Sequence, residues 1–119
     1  MKPKYKEQFQ TSECKYYIKW FPEYKYPTLQ NEINSTLKQI LTDICNKYRY
    51  EIKELEITQE YIYILIECPQ TIAPLDIART LKSMSTIKLV SIHPEFRQFY
   101  KKHGKLWSEK HIISTTNKP

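Results

Sequence analysis

Chemistry in this chain has to come from phenols, lysines and thiols. Tyr61 and Tyr63 stand two residues apart and Trp107 follows later, which offers flat rings for stacking on nucleic-acid bases. The competing reading is structural: tyrosines favour half-buried strand positions, and a tryptophan near a last strand fits a core. Lys82, Lys88, Lys101, Lys102, Lys105 and Lys110 crowd the last third of the sequence. Residues 1–80 carry 11 basic and 11 acidic side chains, whereas residues 81–119 carry 8 and 2, so the whole net charge of +6 lies there. A one-sided basic segment fits a polyanion partner, usually nucleic acid, or a merely soluble basic surface.

Other chemistries lack their residues. His93, His103 and His111 form neither H-x-H nor H-E-x-x-H and read as surface residues rather than ligands. The single glycine, Gly104, excludes phosphate loops and dinucleotide fingerprints, which need several glycines for close backbone approach. Cys14, Cys45 and Cys68 are odd in number and lack C-x-x-C spacing, which fits reduced thiols in a cytoplasmic protein. Glu51, Glu54, Glu56 and Glu60 read as a solvated strand face, and no Ser/His/Asp or Cys/His spacing stands out. The longest apolar run, Ile62 to Ile66, falls far short of the roughly 20 residues of a membrane span.

The elements that must position these residues follow from periodicity. Residues 1–13 are polar and lysine-rich, a flexible basic N-terminus, and residues 14–119 form one domain. Cys14 to Phe21 reads as a strand, closed by Pro22 and a loop over 23–26 that Pro27 brackets. Leu29, Ile33, Leu37, Ile40, Leu41, Ile44 and Tyr48 make one helical stripe, with Thr28 as its cap. Residues 50–57 and 61–68 form a hairpin whose first strand slips phase at Lys53-Glu54, as a bulge would. Pro74 opens a second helix bearing Ile77, Leu81 and Met84, and His93-Pro94-Glu95 starts a short third one through Phe96 and Phe99. Lys101 to Lys105 reads as a basic loop, and His111 to Thr115 as the last strand. The order β α β β α (α) β predicts an α+β, ferredoxin-like (RRM-like) sandwich, a four-stranded antiparallel sheet with helices on one face. Alternation along the third strand sends Ile62, Ile64 and Ile66 to the core and Tyr61 and Tyr63 to the uncovered face.

Four segments, in order over about residues 14–116, resemble one family. Cys14-Lys15-Tyr16-Tyr17-Ile18-Lys19-Trp20-Phe21-Pro22-Glu23-Tyr24-Lys25 is similar to the opening "C-K-Y-H-x-x-W-x-P-K-Y-R" of small single-tyrosine HUH transposases, the IS-two-hundred-like family. Tyr61-Ile62-Tyr63-Ile64-Leu65 sits where that family has "H-x-H-L-L", and Leu81-Lys82-Ser83-Met84-Ser85 resembles "L-K-G-K-S". Leu106-Trp107-Ser108 with Ile112-Ile113-Ser114-Thr115 resembles "L-W-S … Y-F-V-S-T".

The resemblance implies a homodimer that recognises imperfect DNA hairpins and flanking single strand. It implies two histidines that hold Mg²⁺ or Mn²⁺ on a scissile phosphate, and a tyrosine on a later helix that attacks it. Here Tyr61 and Tyr63 stand at the histidine positions, and the chain ends at Pro119 before that helix would follow. The expectation is therefore a domain with no metal and no cleavage that still binds structured or single-stranded DNA. Its DNA-binding residues would be Tyr61, Tyr63, Trp107 and the lysines at 82, 88, 101, 102, 105 and 110. An RNA-binding module on the same open face, or a dimerisation domain without nucleic acid, are the alternatives.

Overall fold

A computed structural model describes residues 13–24, 32–115 and 118–119. The expectations for residues 1–12, for the 25–27 part of the first loop, and for Thr28 and Leu29 lie outside the described residues. Four strands and three helices follow one another among them: β1 (Glu13–Pro22), α1 (Glu32–Tyr48), β2 (Glu51–Ile57), β3 (Ile62–Pro69), α2 (Pro74–Ile92), α3 (Pro94–His103) and β4 (Trp107–Ser114). The sheet order is β2-β3-β1-β4, and every neighbouring pair is antiparallel. This is the α+β ferredoxin-like sandwich read from the sequence, with β1 and β3 at its centre.

One apolar face of each element makes the core. Tyr16, Ile18 and Trp20 of β1 alternate inward with Ile62, Ile64 and Ile66 of β3. Ile33, Leu37, Leu41 and Ile44 cover them from α1, and Ile77, Leu81 and Leu89 from α2. The slip at Lys53 is a register shift between Ile52 and Glu54, which returns Leu55 and Ile57 to the buried side. Proline opens both α2 and α3, where a missing N–H costs nothing because the first turn has no partner for it.

Two boundaries differ from expectation. Lys101, Lys102 and His103 are not loop: they form the last turn of α3, where cations meet the negative helix end. Gly104 then stops the helix at φ 80°, its N–H donating to the Tyr100 carbonyl at 2.7 Å. Tyr24, Phe99 and His103 pack ring on ring at 4.3–5.2 Å, which fastens that end of α3 to the exit of β1. β4 begins at Trp107 rather than His111, because the pairing with β1 continues through an irregularity between Trp20 and Pro22. Glu23 N–H donating to Leu106 O at 2.9 Å holds the two chain segments together just beyond it.

Candidate nucleic-acid interface

The face of the sheet away from the helices is less open than its alternation predicts. Tyr63 and Leu65 point away from the helical core, yet Tyr63 is only 1% exposed. Its O–H donates to Glu54 Oε1 at 2.7 Å, and Lys118 Nζ lies 4.6 Å from its ring centroid. Lys118 also pairs with Glu56 at 3.4 Å. Tyr61, half-buried, has Lys19 Nζ 4.2 Å over its ring. A hydrogen bond to Glu56 raises the Tyr61 phenol, and burial followed by the Glu54 bond raises the Tyr63 phenol far more. Both phenols are thus held neutral across the physiological range, and Tyr63 donates to a carboxylate on β2. Tyr63 has no free ring face, which corrects the expectation that it stacks on a base. Its central position between β1 and β2 surrounds it with their side chains, and a cation caps what remains.

Trp107 is likewise a core residue rather than a stacking platform. It is 4% exposed, meets Trp20 edge to face at 6.2 Å, and donates its indole N–H to Ser85 Oγ at 2.9 Å. Ser85 donates onward to Lys82 O at 3.2 Å. A buried hydroxyl and a buried indole satisfy each other here, which explains how Ser85 can be fully buried in the core.

On the helical side, α2, α3 and β4 enclose a groove of about 620 Å³. Its floor is Leu106 and Trp107, both buried. α2 contributes Arg79, Lys82, Ser83 and Thr86, at the i, i+3, i+4 and i+7 spacing that lines one helix face. Tyr100 of α3, 40% exposed, stands at its edge with Lys105 and Ser108. The cations interact: burial holds the Lys82 ammonium below its ordinary value, with Glu109 opposing and Lys105 adding to the shift. His111, whose Nδ1 is buried without a partner, is held low by burial and then by Lys82 and Arg79. Among the described residues Glu109 is the only carboxylate lining the groove; it pairs with Lys105 at 3.5 Å but is itself 90% exposed.

Of the six lysines singled out in the sequence, the fold brings Lys82 and Lys105 together here. Lys101, Lys102 and Lys110 are exposed nearby in sequence but do not line the groove. Lys88 follows Arg79 by nine residues, about two and a half turns, so it faces the opposite side of α2. Arg79 and Tyr100 were not among the expected DNA contacts, and Ser83 and Ser108 entered only within the family-like segments, although the polar spacing on α2 was there to be read.

The sheet order and element order define a ferredoxin-like sandwich. The chain belongs to the IS200-like transposase family, whose model, described as Transposase IS200 like, matches residues 10–119. Transposases for insertion sequence element IS200 from Salmonella typhimurium and Salmonella typhi are each 24% identical over 105 residues, 88% of this chain and 68% of theirs. A Deinococcus radiodurans protein assigned as a transposase has a crystal structure that superposes with a TM-score of 0.79. It is 26% identical, and the match covers 88% of this chain and 80% of that one. The REP-associated tyrosine transposase bound to a REP hairpin shares the fold with a TM-score of 0.60 at 9% identity, over 89% of this chain and 58% of that one.

The metal implied by the resemblance does not fit the donor set on β3. Neutral phenols, one of them bonded to Glu54, are poor ligands for a hard divalent cation, and two ammonium groups, of Lys19 and Lys118, lie over the rings. Among the described residues no three His, Cys, Asp or Glu side chains converge as a metal site would need.

Proposed function

We propose that this chain is a DNA-binding member of its family that grips structured or single-stranded DNA without cutting it. The observation that carries the reading is the state of Tyr61 and Tyr63. The Tyr63 hydroxyl donates to Glu54, the carboxylate of Glu56 raises the Tyr61 phenol, and ammonium groups lie over both rings. A site arranged in this way offers a phosphate no Lewis acid, and strand cleavage by attack of a phenol needs one to take up the developing charge.

Binding needs only cations in the right places. The net charge of +6 in residues 81–119 supports it, as does the transposase family to which the chain belongs. Lys82 and Lys105 would hold phosphates from the groove, with Lys88, Lys101, Lys102 and Lys110 adding longer-range attraction. About 4–6 phosphate contacts would give a steep fall of affinity with salt. The binding form would be a homodimer, which sedimentation with and without DNA tests.

A gel assay on labelled hairpin DNA with single-stranded flanks, with Mg²⁺ or Mn²⁺ added, decides the reading. It predicts a salt-sensitive mobility shift and no nicked product. Nicking that disappears in Tyr61→Phe or Tyr63→Phe would overturn it, and so would the absence of any shift at low salt.

A further inference from the structure

The groove between α2, α3 and β4 combines two features that one class of ligand unites. Its floor is apolar, Leu106 and Trp107, with the exposed Ile87 beside it. Its rim carries Arg79, Lys82 and Lys105, with Tyr100 presenting a partly free ring. A flat heterocycle flanked by anionic groups matches that pattern, and a volume of about 620 Å³ lies within the ~300–1,000 Å³ of ordinary ligand sites.

We propose that this groove binds an unpaired stretch of a DNA strand, its phosphates on Arg79, Lys82 and Lys105 and a base against Tyr100 and the apolar floor. Among the described residues three cations share the space with a single lining carboxylate, Glu109, which reaches into solvent, and Glu23 approaches Lys105 at 4.0 Å from outside the lining. Burial is the main cause of the depressed ammonium of Lys82 and of the depressed imidazole of His111, and neighbouring cations add to each, Lys105 at Lys82 and Lys82 with Arg79 at His111. An anion would relieve both. Ser108 Oγ accepts from Lys110 N–H at 3.2 Å, which leaves its own proton to donate to a phosphate oxygen. The ring of Tyr100 selects an unpaired base, because paired bases present no free face. The proposal rests on the DNA-binding reading above and adds where the strand lies.

Fluorescence anisotropy with a labelled oligodeoxythymidylate tests it, read at several salt concentrations. Arg79→Ala with Lys105→Ala removes two phosphate contacts from solvent-accessible positions. At a salt slope of about 0.7 per phosphate on single strands, affinity at 0.1 M salt should fall roughly 25-fold and the slope should flatten by about 1.4. Lys38→Ala with Lys47→Ala removes the same charge from exposed sites on α1 and should change affinity less than twofold. Tyr100→Ala should weaken binding by about 5- to 150-fold, Tyr100→Phe should restore it, and neither should affect a blunt duplex. Circular dichroism confirms that each variant folds.

Equal losses from the groove pair and the α1 pair would overturn the groove while leaving DNA binding intact. Thymidine monophosphate competing as well as the strand would also overturn it, by making the groove a mononucleotide pocket. No binding of any DNA by the wild type would remove the DNA-binding reading and this proposal together.

Discussion

Tyr63→Ala is the sharpest test of how the outer sheet face is built. The ring is 1% exposed in a chain of 119 residues, and its hydroxyl bonds Glu54 at 2.7 Å. Truncating a buried aromatic to alanine costs about 3–5 kcal/mol, from lost transfer energy and the cavity left behind. Tyr63→Phe removes only the hydroxyl, and because Glu54 is exposed and can turn to water the loss is about 1 kcal/mol. Unfolding entropy for this length is roughly 0.25 kcal/mol/K, so the melting temperature should fall by about 12–20 °C for alanine and about 4 °C for phenylalanine. Thermal melts followed by circular dichroism, with urea titrations alongside, measure both. A Tyr63→Ala protein within about 1 kcal/mol of wild type would mean that the ring faces solvent. The account of a phenol locked away from ligands would then fail.

Further outcomes follow from the same contacts. Trp107→Phe should cost about 1–3 kcal/mol, by losing the indole bond to Ser85 and some core volume, and urea unfolding reads it. Cys14, half-buried, should react first with iodoacetamide, while burial pushes Cys45 up to about 12 and Cys68 to about 11 and keeps both inert until unfolding; peptide mass mapping gives the order. His111 is depressed when folded, so its contribution is present above the unfolded value near 6.5 and is lost as pH falls through the lower folded value. Urea stability should therefore drop in that window for wild type and less for His111→Gln. Lys118→Ala removes an exposed pair with Glu56 and should change stability by no more than about 1 kcal/mol by the same measurement.

The fold was legible because its signals are local. The stripe from Ile33 to Tyr48 announces α1, and the slip at Lys53 marks a real irregularity between Ile52 and Glu54. Where pairing partners decide, the sequence says less. β4 starts at Trp107 because β1 carries the ladder past Trp20, which no pattern in residues 107–110 reveals. The same limit hid the cover over Tyr63. Alternation gave the correct face, but Lys118 is 55 residues away in sequence and only the folded chain brings it over the ring. The groove draws on α2, α3 and β4, so its lysines could be counted from sequence but not assembled. Lys88 and Lys82 look equivalent along the chain, yet they lie about 120° apart around one helix, and only Lys82 lines the groove.

The central claim is that the phenols at 61 and 63 have taken the place of a cation site, and Mn²⁺ titration of the protein alone, followed by electron paramagnetic resonance, tests it most directly. The account predicts that the signal of free manganese stays undiminished at equimolar protein. One ion captured per chain, and released in a Tyr61→Phe, Tyr63→Phe double variant, would contradict it.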